Sequence, residues 1–222
     1  MDLPTLDPEA HASALTGLAR LNAWSNSVGA LWPTIRDETR LGGGTLRILD
    51  VATGSGDIPI ALARKASREG LSLQIDGCDR SDVAVQLATQ RAQAANVATH
   101  FFQHDIAADT LPTGYDIITV SLFLHHLSDH DASAFLLAAS HACKRMLIVN
   151  DLSRSRLNYG LVWMASRLLS RSPVVHFDGP VSVKAAFTPA EIMTMTRSIG
   201  LQDATVVNRF PCRWLMTWRK SE

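Results

Sequence analysis

Apolar positions along the chain fall into short continuous runs separated by stretches of helical period. The runs at 46–51, 72–78, 99–104, 115–122 and 144–150 have the length and continuity of strands buried on both faces. Between them, 57–68, 81–95 and 129–141 repeat their apolar residues at three- and four-residue intervals, as helices do. This alternation predicts a parallel sheet with helices on both faces. Thr188, Pro189 and Glu191 spell a helix start: a capping threonine, proline at the first position and a capping-box glutamate. That helix should run to about Ile199, with Gly200 ending it. The runs 202–209 and 213–219 alternate and are joined through Pro211, so they should pair as an antiparallel hairpin. Ahead of the first strand, Asp7 and Pro8 open a helix expected to reach about residue 32, with Leu15, Leu18, Leu21 and Trp24 at helical spacing. Residues 36–44 read as a polar, glycine-ended connector. Beyond Asp151, Leu157–Leu169 reads as an apolar helix among Arg154, Arg156, Arg167 and Arg171, and 173–184 as irregular.

Length and composition narrow the reading. The chain's 222 residues suffice for one α/β domain with a cap, and a hydrophobic share of 46% suits a packed core. The expected divisions are a helical cap over 1–44, a core over 45–151, a lid insertion over 152–187 and a closing helix and hairpin over 188–222. Acidic and basic side chains balance at 21 each, so there is no electrostatic footprint for a nucleic-acid backbone. Cys78, Cys143 and Cys212 are far apart and odd in number, with neither metal-ligand spacing nor a disulfide framework. The acidic N-terminus lacks the form of a secretory signal, and no apolar run nears the ~18 residues of a membrane span. A cytoplasmic protein is expected, with oligomeric state left open.

The stretch Asp50-Val51-Ala52-Thr53-Gly54-Ser55-Gly56-Asp57 carries the chemistry. It lies between a strand and a helix, where glycines let backbone N–H groups approach a ligand. Asp79 ends the second strand at about the ~20-residue distance expected of a ribose-hydroxyl partner. A nicotinamide dinucleotide is the default for such a turn, yet Pro59 stands where its third glycine belongs. Asp57 at the helix start would also repel a pyrophosphate. An ammonium and a sulfonium would instead be attracted, as in S-adenosylmethionine.

Leu49 to Gly56 resembles the first motif of class I S-adenosylmethionine-dependent methyltransferases, in the version of the quinone-biosynthesis and small-molecule branch, with Ala52 where the first glycine is usual. The resemblance covers roughly 46–151. It implies a Rossmann-like, doubly wound, seven-stranded, mostly parallel α/β sheet with an antiparallel C-terminal strand. It implies S-adenosyl-L-methionine as cofactor, held around Asp50, Ala52, Thr53, Gly54, Gly56 and Asp57. Asp79 with Arg80 beside it matches the ribose position, Asp105 with Ile106 the adenine position, and Ser121 the strand passing the methionine part. Near the expected methyl, His125 and His126 follow the fourth strand and Asp151 ends the fifth. Histidine suits removal of a phenolic or enolic proton near neutral pH, with Asp151 orienting it; loop packing and turn capping are the plain alternatives. No metal is required. The expected activity is methyl transfer to O or C of a small, lipophilic or aromatic hydroxylated acceptor. A cofactor-binding partner protein without activity and an NAD(P)-dependent oxidoreductase are the competing readings.

Overall fold

Seven strands form one sheet in the computed structural model, which describes residues 26–42, 44–169 and 173–221. They are β1 Leu46–Val51, β2 Leu73–Asp79, β3 His100–Gln103, β4 Ile117–Ser121, β5 Met146–Leu152, β6 Thr205–Arg209 and β7 Arg213–Arg219. Their spatial order is β3-β2-β1-β4-β5-β7-β6. Strands β1 to β5 pair parallel, and β7 runs antiparallel to both β5 and β6. The doubly wound sheet expected from the alternation is therefore present, with the reversed strand inserted before β6. Strand order reverses between β1 and β4, the switch point beside which such sheets bind ligands.

Each face is sealed by helices whose apolar positions the sequence spaces correctly. On one face Ile48, Ile75, Ile117 and Met146 lie in register and pack with Leu31, Trp32 and Ile35 of α1 (Ser27–Gly42) and Ile58 and Leu62 of α2 (Asp57–Arg68). On the other, Leu49, Ile118 and Leu147 pack with Leu136 of α4 (Asp129–Ala142) and Ile192 of α7 (Pro189–Ser198). Ile60 of α2, Phe101 of β3, and Ala88 and Ala92 of α3 (Asp82–Ala94) make a third cluster. Full burial of each large aliphatic contributes about 1.5–3 kcal/mol. The capping box at Thr188 and Glu191 forms as expected. Among the described residues no helix is long and apolar enough to cross a membrane.

Two segments correct the sequence expectation. Residues 36–42 belong to α1 rather than to a connector. Glu38 is buried and faces Arg219 and Arg145, and Thr39 Oγ1 donates to Ile35 O at 2.8 Å, so the polar run is a paired helix face. Residues Pro173–Ala185, expected to be irregular, form α6. It packs on α5 (Arg156–Leu169) so closely that a Cβ on Gly179 would stand 3.2 Å from Val162 Cγ1. Burial of Val175 and Val183 outweighs the poor helix propensity of Gly179 and Pro180. The expected helix over 8–32 lies outside the described residues up to 25; at Asn26 the chain turns (φ 54) into α1.

Candidate functional site

At the carboxyl end of β1 the chain turns through Ala52, Gly54 and Gly56, all at positive φ (54, 55 and 72). Ala52 thus keeps a backbone geometry that glycine favours, at a cost of about 1–2 kcal/mol. Thr53 N–H donates to Cys78 O at 3.0 Å, tying the turn to β2. A Cβ on Gly56 would meet Phe101 Cζ at 2.7 Å and Ala88 Cβ at 2.9 Å, and one on Gly77 would meet the same ring at 2.7 Å. The Phe101 ring occupies space that two absent side chains leave, drawing β3 and α3 against the turn.

Acidic groups surround this turn. Asp50 is buried; its Oδ2 accepts from Thr53 Oγ1 at 2.8 Å and its Oδ1 from Thr119 Oγ1 at 2.7 Å. Burial pushes the carboxyl up to about 7, aided by the nearby Asp57 and Asp79 and opposed by the two threonine bonds. A bound cation would favour its ionised form. Asp79 Oδ2 accepts from Gly54 N–H at 2.8 Å and Oδ1 from Ser81 N–H at 2.9 Å, so it joins the turn to the start of α3. A carboxylate oxygen can accept more than one bond, so hydroxyl donors can add to these two. Asp105 lies past β3, half-buried, and caps a local turn by accepting from Ala107 N–H at 3.0 Å. Ile106 packs on the core beside it. Arg80 is exposed, and its carbonyl accepts from Gln103 Nε2 at 3.0 Å.

Past β4, Leu122 at φ 57 leads into a single 3₁₀ turn, Leu124–His126. Here His125 Nδ1 lies 2.7 Å from Asp151 Oδ1, and His125 N–H donates to Asp151 Oδ2 at 3.2 Å. Leu152 N–H donates to Asp151 Oδ1 at 2.6 Å. Burial works to raise the Asp151 carboxyl, but His125 and these bonds outweigh it and hold the group below its ordinary value. An ionised Asp151 only accepts, so Nδ1 carries a hydrogen toward it, and in the neutral ring Nε2 is then the acceptor. The two histidines separate in environment: His125 is buried, while His126 is exposed, its ring 4.2 Å from that of His125.

Three further residues escaped the sequence reading. Thr119 supports Asp50. Asn150 is the register partner of Ser121, on the sheet face that also carries Asp50 and Thr119. Ser121 Oγ and both amide atoms of Asn150 are buried without hydrogen-bond partners among the described residues. Such groups cost about 1–3 kcal/mol each unless a ligand or water meets them. Arg213 opens β7 on the same face, paired in register with Leu152. Burial lowers its guanidinium to about 10, with Asp151 and Asp57 opposing, so it stays charged at neutral pH. For Thr119 and Asn150 the available signal was a polar residue interrupting an apolar strand near its carboxyl end, as in Ile117-Ile118-Thr119-Val120 and Val149-Asn150; Arg213, the first residue of its strand, carried no such signal.

The chain matches the model of a methyltransferase domain over residues 48–146. Demethylmenaquinone methyltransferase of Thermus thermophilus is 28% identical over 86 residues, 38% of this chain and 37% of that protein. The match thus spans little more than a third of that curated relative. Magnesium protoporphyrin IX methyltransferase of Synechocystis PCC 6803, solved with bound SAH, superposes with a TM-score of 0.62 at 20% identity, covering 89% of this chain and 83% of that one. An O-methyltransferase family 2 protein of Planctomyces limnophilus, solved in complex with apigenin, gives 0.58 at 18% identity, covering 79% and 51%.

Proposed function

We propose that the chain is a class I S-adenosylmethionine-dependent methyltransferase, a reading supported by the methyltransferase-domain match over residues 48–146, and that it methylates the hydroxyl oxygen of a lipophilic aromatic acceptor, with His125 as the base. The observation that carries this reading is the His125–Asp151 pair at the ends of β4 and β5, 2.7 Å apart and buried. The residues around the glycine turn fit the cofactor. Asp79 can accept from ribose hydroxyls, Asp50 gains from a neighbouring positive charge, and Asp105 stands one strand further out for the adenine amino group. Ala52, Thr53, Gly54 and Gly56 supply the cradle, and Asp57 adds negative charge at its rim. When bound, the cofactor supplies a sulfonium methyl open to in-line displacement.

The chain's own residues then have two tasks. His125 Nε2 takes the acceptor's hydroxyl proton, and Asp151 stabilises the imidazolium that forms through the Nδ1–H bond. Asp151 is thereby a positioning residue, and His126 shields the ring it lies against at a tilt. Ser121 and Asn150 offer a buried hydroxyl and amide to the polar end of a ligand. Helices α5 and α6 follow β5 beyond the strand ends and form the lid, with α6 packed on the 3₁₀ turn. The likeness to demethylmenaquinone methyltransferase favours a second reading, transfer to a ring carbon whose neighbouring oxygen the same pair deprotonates.

A mass-shift screen of phenols, quinols and small amines with S-adenosylmethionine tests the proposal. Phenols or quinols should gain one methyl. His125→Ala should lower kcat roughly 10²–10⁴-fold, the worth of a positioned base. Asp151→Asn should lower it and displace the pH profile, while His126→Ala leaves most of the rate. Full activity in both His125→Ala and Asp151→Asn removes the pair from the mechanism, and methylation of amines alone removes the acceptor class.

A further inference from the structure

Exposed large apolar side chains gather beyond the carboxyl edge of the sheet. Phe210, at the tip of the β6–β7 hairpin, is 92% exposed. On α5, Leu157 and Leu168 are 72% and 75% exposed, with Met164 half-exposed between them. Leu157, Met164 and Leu168 are spaced seven and four residues apart, so they form one stripe along the helix. Asn158 Nδ2 donates to Ser153 O at 2.6 Å and Cys212 O at 2.9 Å. The first turn of α5 is therefore pinned to the hairpin turn, and Leu157 and Phe210 belong to the same edge.

Cations accompany these side chains. Arg156 precedes Leu157, Arg167 precedes Leu168 and Arg209 precedes Phe210. Arg156 and Arg167 share the stripe's own eleven-residue spacing and run beside it. Arg167 also lies 4.0 Å over the Trp163 ring, with its stem along the helix. No acidic residue occurs within α5, and α6 has Asp178 alone, although the whole chain balances at 21 and 21.

We infer that this edge docks on an anionic lipid surface, its leucines and Phe210 entering the acyl boundary and its arginines meeting the head groups. Interleaved apolar and basic side chains on one face are what an interfacial element needs. A second copy of the chain fits poorly, because an isologous contact would set this cationic face against itself. The core of an interface with another protein would be depleted of charge, whereas here each apolar anchor has an arginine beside it. Docking in this pose turns the edge that carries the glycine turn and His125 toward the acyl phase, so a lipophilic molecule reaches it without crossing water. The inference does not depend on the acceptor proposed above, and binding is read without turnover.

Co-sedimentation of the full chain with vesicles tests it. Vesicles of equal parts phosphatidylglycerol and phosphatidylcholine should bind the chain, phosphatidylcholine alone much less, and the difference should shrink with salt. Replacing Arg156, Arg167 and Arg209 by Gln together should weaken binding roughly hundredfold, at about fivefold per cation near an anionic surface. Leu157→Gln, Leu168→Gln and Phe210→Gln should each cost about tenfold. All six positions are on the surface, and unchanged S-adenosylmethionine titrations certify that the variants fold. Equal sedimentation with both vesicle types, or full binding by the substituted chains, overturns the proposal. A concentration-dependent dimer lost in the apolar variants, without vesicle binding, assigns the face to a second copy instead.

Discussion

Asp50 is buried, bonded by two threonine hydroxyls and held at about 7. Its ordinary value is 3.8, so between the two values the folded chain holds a proton that the unfolded chain has released. The stability this group contributes is complete below about 3.8 and is lost as pH rises through about 7. Placing a cation beside it favours the carboxylate, so cofactor binding below pH ~7 should release a proton. Affinity should then climb with pH, by up to about tenfold per unit, and level above about 7. Calorimetric titrations across that range in buffers of different ionisation heat read both quantities. Asp50→Asn should flatten the curve, and a flat wild-type curve would remove Asp50 from the cation's surroundings. The acids at strand ends were legible as residues, because an acid closing an apolar run is conspicuous. Thr119, Asn150 and Arg213 were not, since their meeting depends on the pairing of β1, β4, β5 and β7, which no local pattern records.

At the scale of elements, the glycine turn is where sequence and packing agree most closely. Gly56 sits at φ 72 with the Phe101 ring 2.7 Å from where its Cβ would be. Gly56→Ala should destabilise the fold by about 2–4 kcal/mol, combining left-handed strain with overpacking. Denaturant unfolding measures this, and Phe101→Leu in the same chain should recover part of the loss. Equal costs with and without Phe101→Leu would show that the ring is not what the new methyl meets. The capping box of α7 was legible for a similar reason, being a short motif with one geometry. Helix α6 was not, since Pro173, Gly179 and Pro180 argue against a helix, and what reverses that is tertiary: the burial of Val175 and Val183 and the close fit of Gly179 against Val162. Nor was the end of α1, where Glu38 looks like a solvent residue until Arg145 and Arg219 come to face it.

For the whole molecule, strand–helix alternation was enough to predict the parallel sheet, and the short link through Pro211 the closing hairpin. A lid over 152–187 was expected, but how its first helix is held was beyond reach, because α5 is pinned by Asn158 bonding the carbonyls of Ser153 and Cys212, partners 5 and 54 residues away. Pro59 and Asp57 argue against a pyrophosphate at the glycine turn. The most direct measurement is a calorimetric titration of the chain with S-adenosylmethionine and, separately, with NAD, repeated on Asp79→Ala. S-adenosylmethionine should bind and NAD should not. Asp79→Ala should weaken the first by roughly ten- to a hundredfold, the worth of hydrogen bonds to a charged group. Binding of NAD in place of S-adenosylmethionine, or no loss on Asp79→Ala, would contradict the assignment of this turn to a sulfonium cofactor.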